Sequence, residues 1–191
     1  LREYESVINK RAERVPLQYI TGEQEFMGLP FHVNTNVLIP RQDTETLVEE
    51  ALKRVYPGMK IMDMCTGSGC ILISILKNSH DVEGYGYDVS KLALGVAKEN
   101  AKLNDVSASF EHSNLFENVV EQEFDMIVSN PPYIPTGDIA GLMPEVADYE
   151  EFFAEQLVKA QYIIHIALAK NVSKAYENAL EASKTFDNVI V

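Results

Sequence analysis

Residues Asn130-Pro131-Pro132-Tyr133 bring several hydrogen-bond acceptors and a flat ring together in four positions. Two consecutive prolines remove two backbone donors and hold the chain extended. The carbonyls of Asn130 and Pro131 and the side-chain oxygen of Asn130 are then free to accept hydrogen bonds, with the Tyr133 ring beside them. A planar nitrogen carrying two hydrogens, in an amide or an aromatic amine, suits that arrangement. The tetrapeptide therefore points to a reacting atom.

A second group of residues suits a nucleoside. Asp63-Met64-Cys65-Thr66-Gly67-Ser68-Gly69-Cys70 places two glycines where a strand meets a helix, so the backbone can bend tightly and approach a ligand. Asp88 follows about 20 residues later, the position from which a carboxylate binds both hydroxyls of a ribose. No third glycine stands at the dinucleotide spacing, since Ile73 and Ser74 occupy that region. A nucleoside lacking a pyrophosphate fits better than a dinucleotide. Ser113-Asn114-Leu115-Phe116 offers an amide for an adenine edge at Asn114 and an apolar side chain for its face at Leu115. Alone, that segment reads as a polar turn. Its interest comes from sharing one sheet edge with Gly67 and Asp88.

Other reactive side chains carry less. His32, His80, His112 and His165 are scattered without metal-ligand spacing and read as structural or surface residues. Cys65 and Cys70 flank the glycine turn with nothing basic adjoining them, so they read as small packing residues.

The elements that position these groups alternate. Strands are expected at Lys60–Met64, Glu83–Tyr87, Ala108–His112 and Phe124–Ser129, with helices at Cys70–Lys77 and Lys91–Asn104. Phe152–Gln161 reads as helix, Tyr162–Leu168 as strand, Val172–Lys184 as helix and Asn188–Val191 as strand. That rhythm predicts an α/β fold, a doubly wound and mostly parallel sheet covered on both faces. Upstream, Leu1–Arg14 reads as a helix stopped by Pro16, and Gln24–Val33 as a small hairpin punctuated by Gly28 and Pro30. Asp43 or Thr44 is expected to cap a helix whose apolar face is Leu47, Val48, Ala51, Leu52 and Val55.

The 191 residues suffice for one α/β domain with a full core. Sixteen Lys and Arg against 29 Asp and Glu give a formal charge of −13, which disfavours an extended phosphate-backbone partner. Two cysteines at one turn argue against a disulfide framework and for a reducing cytoplasm. No apolar run long enough to cross a membrane is present, and no signal peptide opens the chain. A helix already under way at Leu1 suggests that an upstream portion precedes it.

Several motifs in order carry a resemblance. Pro16-Leu17-Gln18-Tyr19-Ile20-Thr21-Gly22 precedes Phe26-Met27-Gly28-Leu29-Pro30-Phe31 and Ile39-Pro40-Arg41-Gln42-Asp43-Thr44-Glu45. The glycine turn, Ser129 to Ile134, and Pro144-Glu145-Val146 follow. From about Pro16 to Tyr149 the chain resembles the peptide chain release factor glutamine methyltransferases, a class I family using S-adenosylmethionine. The resemblance implies a Rossmann-like sheet of the seven-stranded type and methylation of the glutamine amide in the Gly-Gly-Gln loop of release factors, leaving S-adenosylhomocysteine.

By position, the resemblance implies that Cys65, Thr66, Gly67, Ser68 and Gly69 wrap the amino-acid part of the cofactor and that Asp88 holds its ribose. Asn114 and Leu115 lie by the adenine, Asn130 borders the cofactor, and Asn130, Pro131, Pro132 and Tyr133 grip the substrate amide. Arg41 and Glu45 fall in a family motif without an assigned role. The resemblance also divides the chain into the tail of a substrate-binding region at 1–45, comprising a linker helix and a hairpin, and a methyltransferase domain at 46–191. Three departures stand out. Asn114 replaces the family's more usual Asp, and an upstream helical domain and a final hairpin are not included. The Pro and glycine-containing loop expected after Glu150 is replaced by Glu151-Phe152-Phe153.

The expected chemistry is direct transfer of a methyl group from sulfonium sulfur to the amide nitrogen. Acceptors at Asn130 and Pro131 orient the nitrogen, Tyr133 stacks on the amide plane, and no general base is evident. The same tetrapeptide would serve an exocyclic amino group of a nucleobase in RNA or DNA, which calls for a basic groove. A further alternative is a non-catalytic nucleoside-binding module. The acidic surface and the upstream motifs favour a release factor as the partner, with neither nucleic acid nor membrane expected.

Overall fold

Lys60–Met64 shows no polar alternation. In the computed structural model this strand, β3, is central, with Ile61, Met62, Asp63 and Met64 all buried. The structure describes residues 2–119, 123–131, 154, 160–165 and 174–190. In chain order the elements are α1 (Arg2–Ala12), α2 (Leu17–Thr21), β1 (Glu23–Phe26), β2 (Leu29–His32), a 3-10 turn (Gln42–Thr44), α3 (Glu45–Leu52), β3 (Lys60–Met64), α4 (Cys70–Lys77), β4 (Glu83–Asp88) and α5 (Lys91–Leu103). There follow β5 (Ser109–His112), β6 (Phe124–Ser129), β7 (Ala160–His165), α6 (Lys174–Ser183) and β8 (Val189–Ile190).

Six strands form one sheet in the order β5-β4-β3-β6-β7-β8, and each of its described pairings is parallel. This is the expected doubly wound α/β arrangement. Its order reverses between β3 and β6, the place where such sheets open a crevice at their carboxyl edge.

Alternation along each strand divides the core. Ile61, Met126 and Val128 face a cluster with Leu47, Val48, Leu72, Ile75 and Leu94 from α3, α4 and α5. Met62, Met64, Tyr87 and Ile127 belong to a second cluster with Phe116 and Val119. Leu72 is fully buried, and truncating it to Ala would cost about 2–5 kcal/mol. In α5 the buried positions Ala93, Leu94, Val96, Ala97, Asn100 and Ala101 follow the helical period, and the Ser90 hydroxyl caps the helix by accepting the Ala93 N–H at 3.2 Å.

The hairpin forms where expected. Its two-residue turn, Met27-Gly28, has φ of 52° and 71°, the left-handed pair that matches the twist of the flanking strands. Phe26 and Phe31 are buried in the main core and meet edge to face at 6.1 Å. Glu45 accepts the Met27 N–H at 2.8 Å, so α3 pins the turn.

As expected, the first helix ends before Pro16, which then occupies the N-cap of α2 with φ of −52°. Two local expectations are corrected. Neither Asp43 nor Thr44 caps α3 through its side chain, because both lie in the 3-10 turn that leads into that helix. Ala160 and Gln161, expected at the end of a helix, begin β7, whose pairing with β6 starts at Phe124–Ala160. Tertiary pairing outweighs local propensity there.

Candidate active site

Register brings the sequence motifs together. Met64 pairs with Tyr87 on one side and Ser129 on the other, while Asp88 pairs with His112. Cys65, Asp88, Ser113 and Asn130 consequently emerge within a residue of one another at the carboxyl edge. The Ser129 hydroxyl donates to the Met64 carbonyl at 3.0 Å and clamps the ends of β3 and β6.

The glycine turn then wraps back across that edge. The Thr66 N–H donates to the Tyr87 carbonyl at 2.9 Å, and the Gly67 N–H donates to Asp88 Oδ2 at 2.9 Å. Asp88 Oδ1 also accepts the Ser90 N–H at 2.8 Å, so two amides orient the carboxylate. At Gly69, with φ of 79°, a Cβ would lie 2.9 Å from Ile73 Cδ1 and 3.2 Å from Ala97 Cβ. Both the left-handed backbone and the close helix packing therefore require glycine. At Gly67 the corresponding position meets nothing nearer than the Cys65 carbonyl at 4.0 Å. Cys65 itself is left-handed, at φ of 62°.

Beneath the turn lies Asp63, fully buried. Its Oδ2 accepts the Thr66 hydroxyl at 2.6 Å, whereas Oδ1 makes no hydrogen bond. Burial pushes this carboxyl up to about 7, against the opposing pull of Thr66 and the Leu72 amide. Burial, reinforced by Asp88 and Asp63, raises the Cys65 thiol to about 11, and burial raises Cys70 to about 12. Both stay protonated at neutral pH and are inert as nucleophiles, in keeping with a packing role.

A cleft of about 740 Å3 opens at this edge. Cys65, Gly67, Asp88, Asn114, Leu115 and Asn130 line it, together with Pro131. Thr66 and Ser68 are buried and border instead a small adjoining cleft of about 50 Å3, shared with Arg41 and Asn130. Gly69 lines neither. Asn114 Nδ2 donates to Glu117 Oε1 at 2.9 Å. Pro132 and Tyr133 lie outside the described residues.

One wall was not anticipated from sequence. Asn36, Val37 and Leu38 border the cleft, held by a 2.8 Å bond from the Tyr19 hydroxyl to the Val37 carbonyl and by packing of Val33 and Val37 on Ala93 and Val96. The apolar triplet Val37-Leu38-Ile39, outside any helix or strand, was the available signal. Val89, next to Asp88, also lines the cleft; it and Leu115 are 63% and 57% exposed, giving the rim two apolar side chains. Among the described residues, no cluster of His, Cys, Asp or Glu could hold a metal, and no helix is long and apolar enough to cross a membrane.

The sequence profile of the methyltransferase small domain family matches residues 41–146, more than half of the chain. The chain belongs to this family. This methyltransferase small domain is 46% identical over 144 residues to a release factor glutamine methyltransferase of Geobacter sulfurreducens, covering 75% of this chain and 51% of that protein. It is 45% identical to the protein of that name from Clostridium acetobutylicum, over 81% of this chain and 56% of the other. A third, from Leptospira interrogans, is 38% identical over 98% of this chain and 66% of its own length. The domain thus spans about half the length of most of the relatives it matches. Among solved structures, Trm5b of Pyrococcus abyssi aligns with a TM-score of 0.57 at 18% identity, over 86% of this chain and 47% of that one. At that identity the likeness concerns the fold.

Proposed function

We propose that this domain binds S-adenosylmethionine and transfers its methyl group to the side-chain amide of the glutamine in the Gly-Gly-Gln loop of a release factor. The observation that carries this reading is the register that sets Asn130 and Pro131 on the wall of a cleft also lined by Gly67 and Asp88. The cleft volume falls in the range of small-molecule sites. The open side of Gly67, the oriented Asp88 carboxylate and the apolar Leu115 and Val89 suit the amino-acid, ribose and adenine parts of the cofactor. The curated relatives' name supplies the substrate class.

When bound, S-adenosylmethionine supplies an electrophilic methyl on a sulfonium sulfur. The chain's own groups hold and orient. Asp88 keeps lone pairs on both carboxylate oxygens beyond those used by Gly67 and Ser90, enough to accept the two ribose hydroxyls. Asn130 Oδ1 and a backbone carbonyl accept the two amide hydrogens of the substrate. Those acceptors favour positive charge developing on a nitrogen whose lone pair is otherwise delocalised. As the N–CH3 bond forms the S–CH3 bond breaks, and the surplus N–H proton leaves to water. Pro132 and Tyr133 complete the grip by limiting chain freedom and stacking on the amide plane. Positioning of this kind supplies up to roughly 7–11 kcal/mol at its limit. The free thiols of Cys65 and Cys70 suit a reducing cytoplasm.

The test is labelling of a purified release factor with radioactive methyl donor, repeated after its loop glutamine is replaced by alanine. Label that disappears with the glutamine supports the reading. Label that persists on the substituted factor would overturn it.

A further inference from the structure

The β1–β2 hairpin has two outer edges, and the molecule treats them differently. The Val33 N–H donates to the Gly22 carbonyl at 2.9 Å, which sets the ladder's phase. Gln24–Phe31 and Phe26–Leu29 are then the hydrogen-bonded pairs, while the backbone groups of Glu23, Glu25, Pro30 and His32 point outward. On the β2 side these outward groups are satisfied from within the fold. Asn100 donates to the His32 carbonyl at 3.1 Å and accepts its N–H at 2.7 Å, and Asn104 donates to the Pro30 carbonyl at 2.9 Å. Pro30 has no N–H to satisfy.

On the β1 edge the outward carbonyls are met locally, that of Glu23 by the Thr21 hydroxyl at 3.5 Å and that of Glu25 by Gln24 Nε2 at 2.6 Å, but the amides are not. The Glu23 and Glu25 amides make no hydrogen bond among the described residues. Beside them runs a groove of about 560 Å3, lined by Leu17, Gln18 and Thr21 of α2 and by Glu23, Gln24 and Glu25 of the strand. Both glutamates are exposed, on the face opposite buried Phe26 and Phe31.

We propose that the β1 edge is a docking strand for an extended, Lys- or Arg-bearing segment of the protein substrate, which pairs with the Glu23 and Glu25 amides and sets its cations over the two carboxylates. This rests on the reading of the substrate as a release factor. Strand addition of this kind takes affinity from main-chain bonds and selectivity from alternating side chains. Charge selects the occupant. A second copy of this chain would place glutamate edge against glutamate edge, and the −13 net charge adds to that repulsion. From β2 the chain runs through Val33 and the turn closed by the Val37 N–H on the Asn34 carbonyl to Val37 and Leu38 on the cleft wall, which ties the hairpin to the site.

The test follows hydrogen exchange at the Glu23 and Glu25 amides of the 191-residue chain, alone, with a release factor, and with the peptide acetyl-Lys-Thr-Lys-Val-Lys-Thr-amide. Protection by both probes is expected. Glu25→Pro deletes one outward N–H without touching a hairpin bond, and circular dichroism checks its fold. It should weaken release-factor binding about tenfold, whereas Glu25→Gln should mainly reduce the salt dependence. Protection by the peptide with no binding or labelling of the factor leaves the edge standing and removes the release-factor reading. Labelling of the factor with neither amide protected, and with Glu25→Pro binding normally, removes the edge and leaves that reading intact. Protection in the chain alone, whether independent of concentration or rising with it, would mean cover from its own chain or from a second copy and overturns the proposal.

Discussion

Asn100 donates its side-chain N–H to the Ser68 carbonyl at 2.9 Å. The same fully buried amide holds both backbone groups of His32. One residue of α5 thus fastens the glycine turn to the upstream hairpin and uses both of its N–H donors in doing so. Asn100→Ala would strand three buried or half-buried partners at once. A loss of roughly 2–4 kcal/mol is expected, read as a lower urea midpoint. Hydrogen exchange should quicken at His32 together with Gly67 and Ser68, since the two segments share the latch.

Asp63 makes stability fall as pH rises. Its folded value, about 7, lies above the ordinary 3.8, so the folded state holds the proton more tightly than the unfolded chain does. That contribution is complete below about pH 4, declines through the interval, and is gone above about pH 7. Denaturation midpoints across this window should slope downward in the wild type. Asp63→Asn retains an oxygen for the Thr66 hydroxyl and should flatten the slope.

Gly69 is constrained twice over, by φ of 79° and by Ile73 and Ala97. Gly69→Ala should cost about 1–2 kcal/mol for the left-handed backbone, with the Ile73 contact adding to it. The glycine turn would shift, and calorimetry should report weaker S-adenosylmethionine binding alongside a lower melting temperature. Unchanged binding and melting would show that the turn tolerates a side chain.

Replacing Asp88 by Ala should weaken S-adenosylmethionine binding about 10- to 100-fold, from the loss of charge-assisted bonds to the ribose. Asp88→Asn, which keeps an acceptor for one of the two amides, should lie between. Binding of S-adenosylhomocysteine, which carries the same ribose, should fall in parallel.

Much of this site was legible because its signals are local. Gly67, Gly69 and Asp88 declare themselves by spacing, and β3 and β6 by apolar runs that end at the cleft. What could not be read depends on partners far along the chain. Asn100 resembles any polar residue on a helix until the packing brings His32, 68 residues away, and Ser68, 32 residues away, onto it. The same holds for the Val37–Leu38 wall, whose place depends on a hydroxyl from Tyr19. Asp63 was visible as part of the turn, but its raised affinity for a proton follows from complete burial. Helix starts misled for another reason: Asp43 and Thr44 have capping side chains, yet the 3-10 turn consumes them before α3 begins.

The acceptor role proposed for Asn130 would separate transfer from binding. Asn130→Ala should lower the rate of methyl transfer at least about 100-fold, the scale for removing a preorganised polar contact to a reacting group. Affinity for S-adenosylmethionine should stay close to that of the wild type, because Asp88, Gly67 and the apolar rim remain. Equal losses in rate and in cofactor affinity would instead make Asn130 a cofactor-holding residue.

The most direct measurement offers labelled S-adenosylmethionine to this chain with a release factor and total RNA side by side. Label on the release factor, at the glutamine of its Gly-Gly-Gln loop, is the expected result. Label on RNA with none on protein would contradict glutamine methylation and make the Asn130 acceptor a reader of nucleobases.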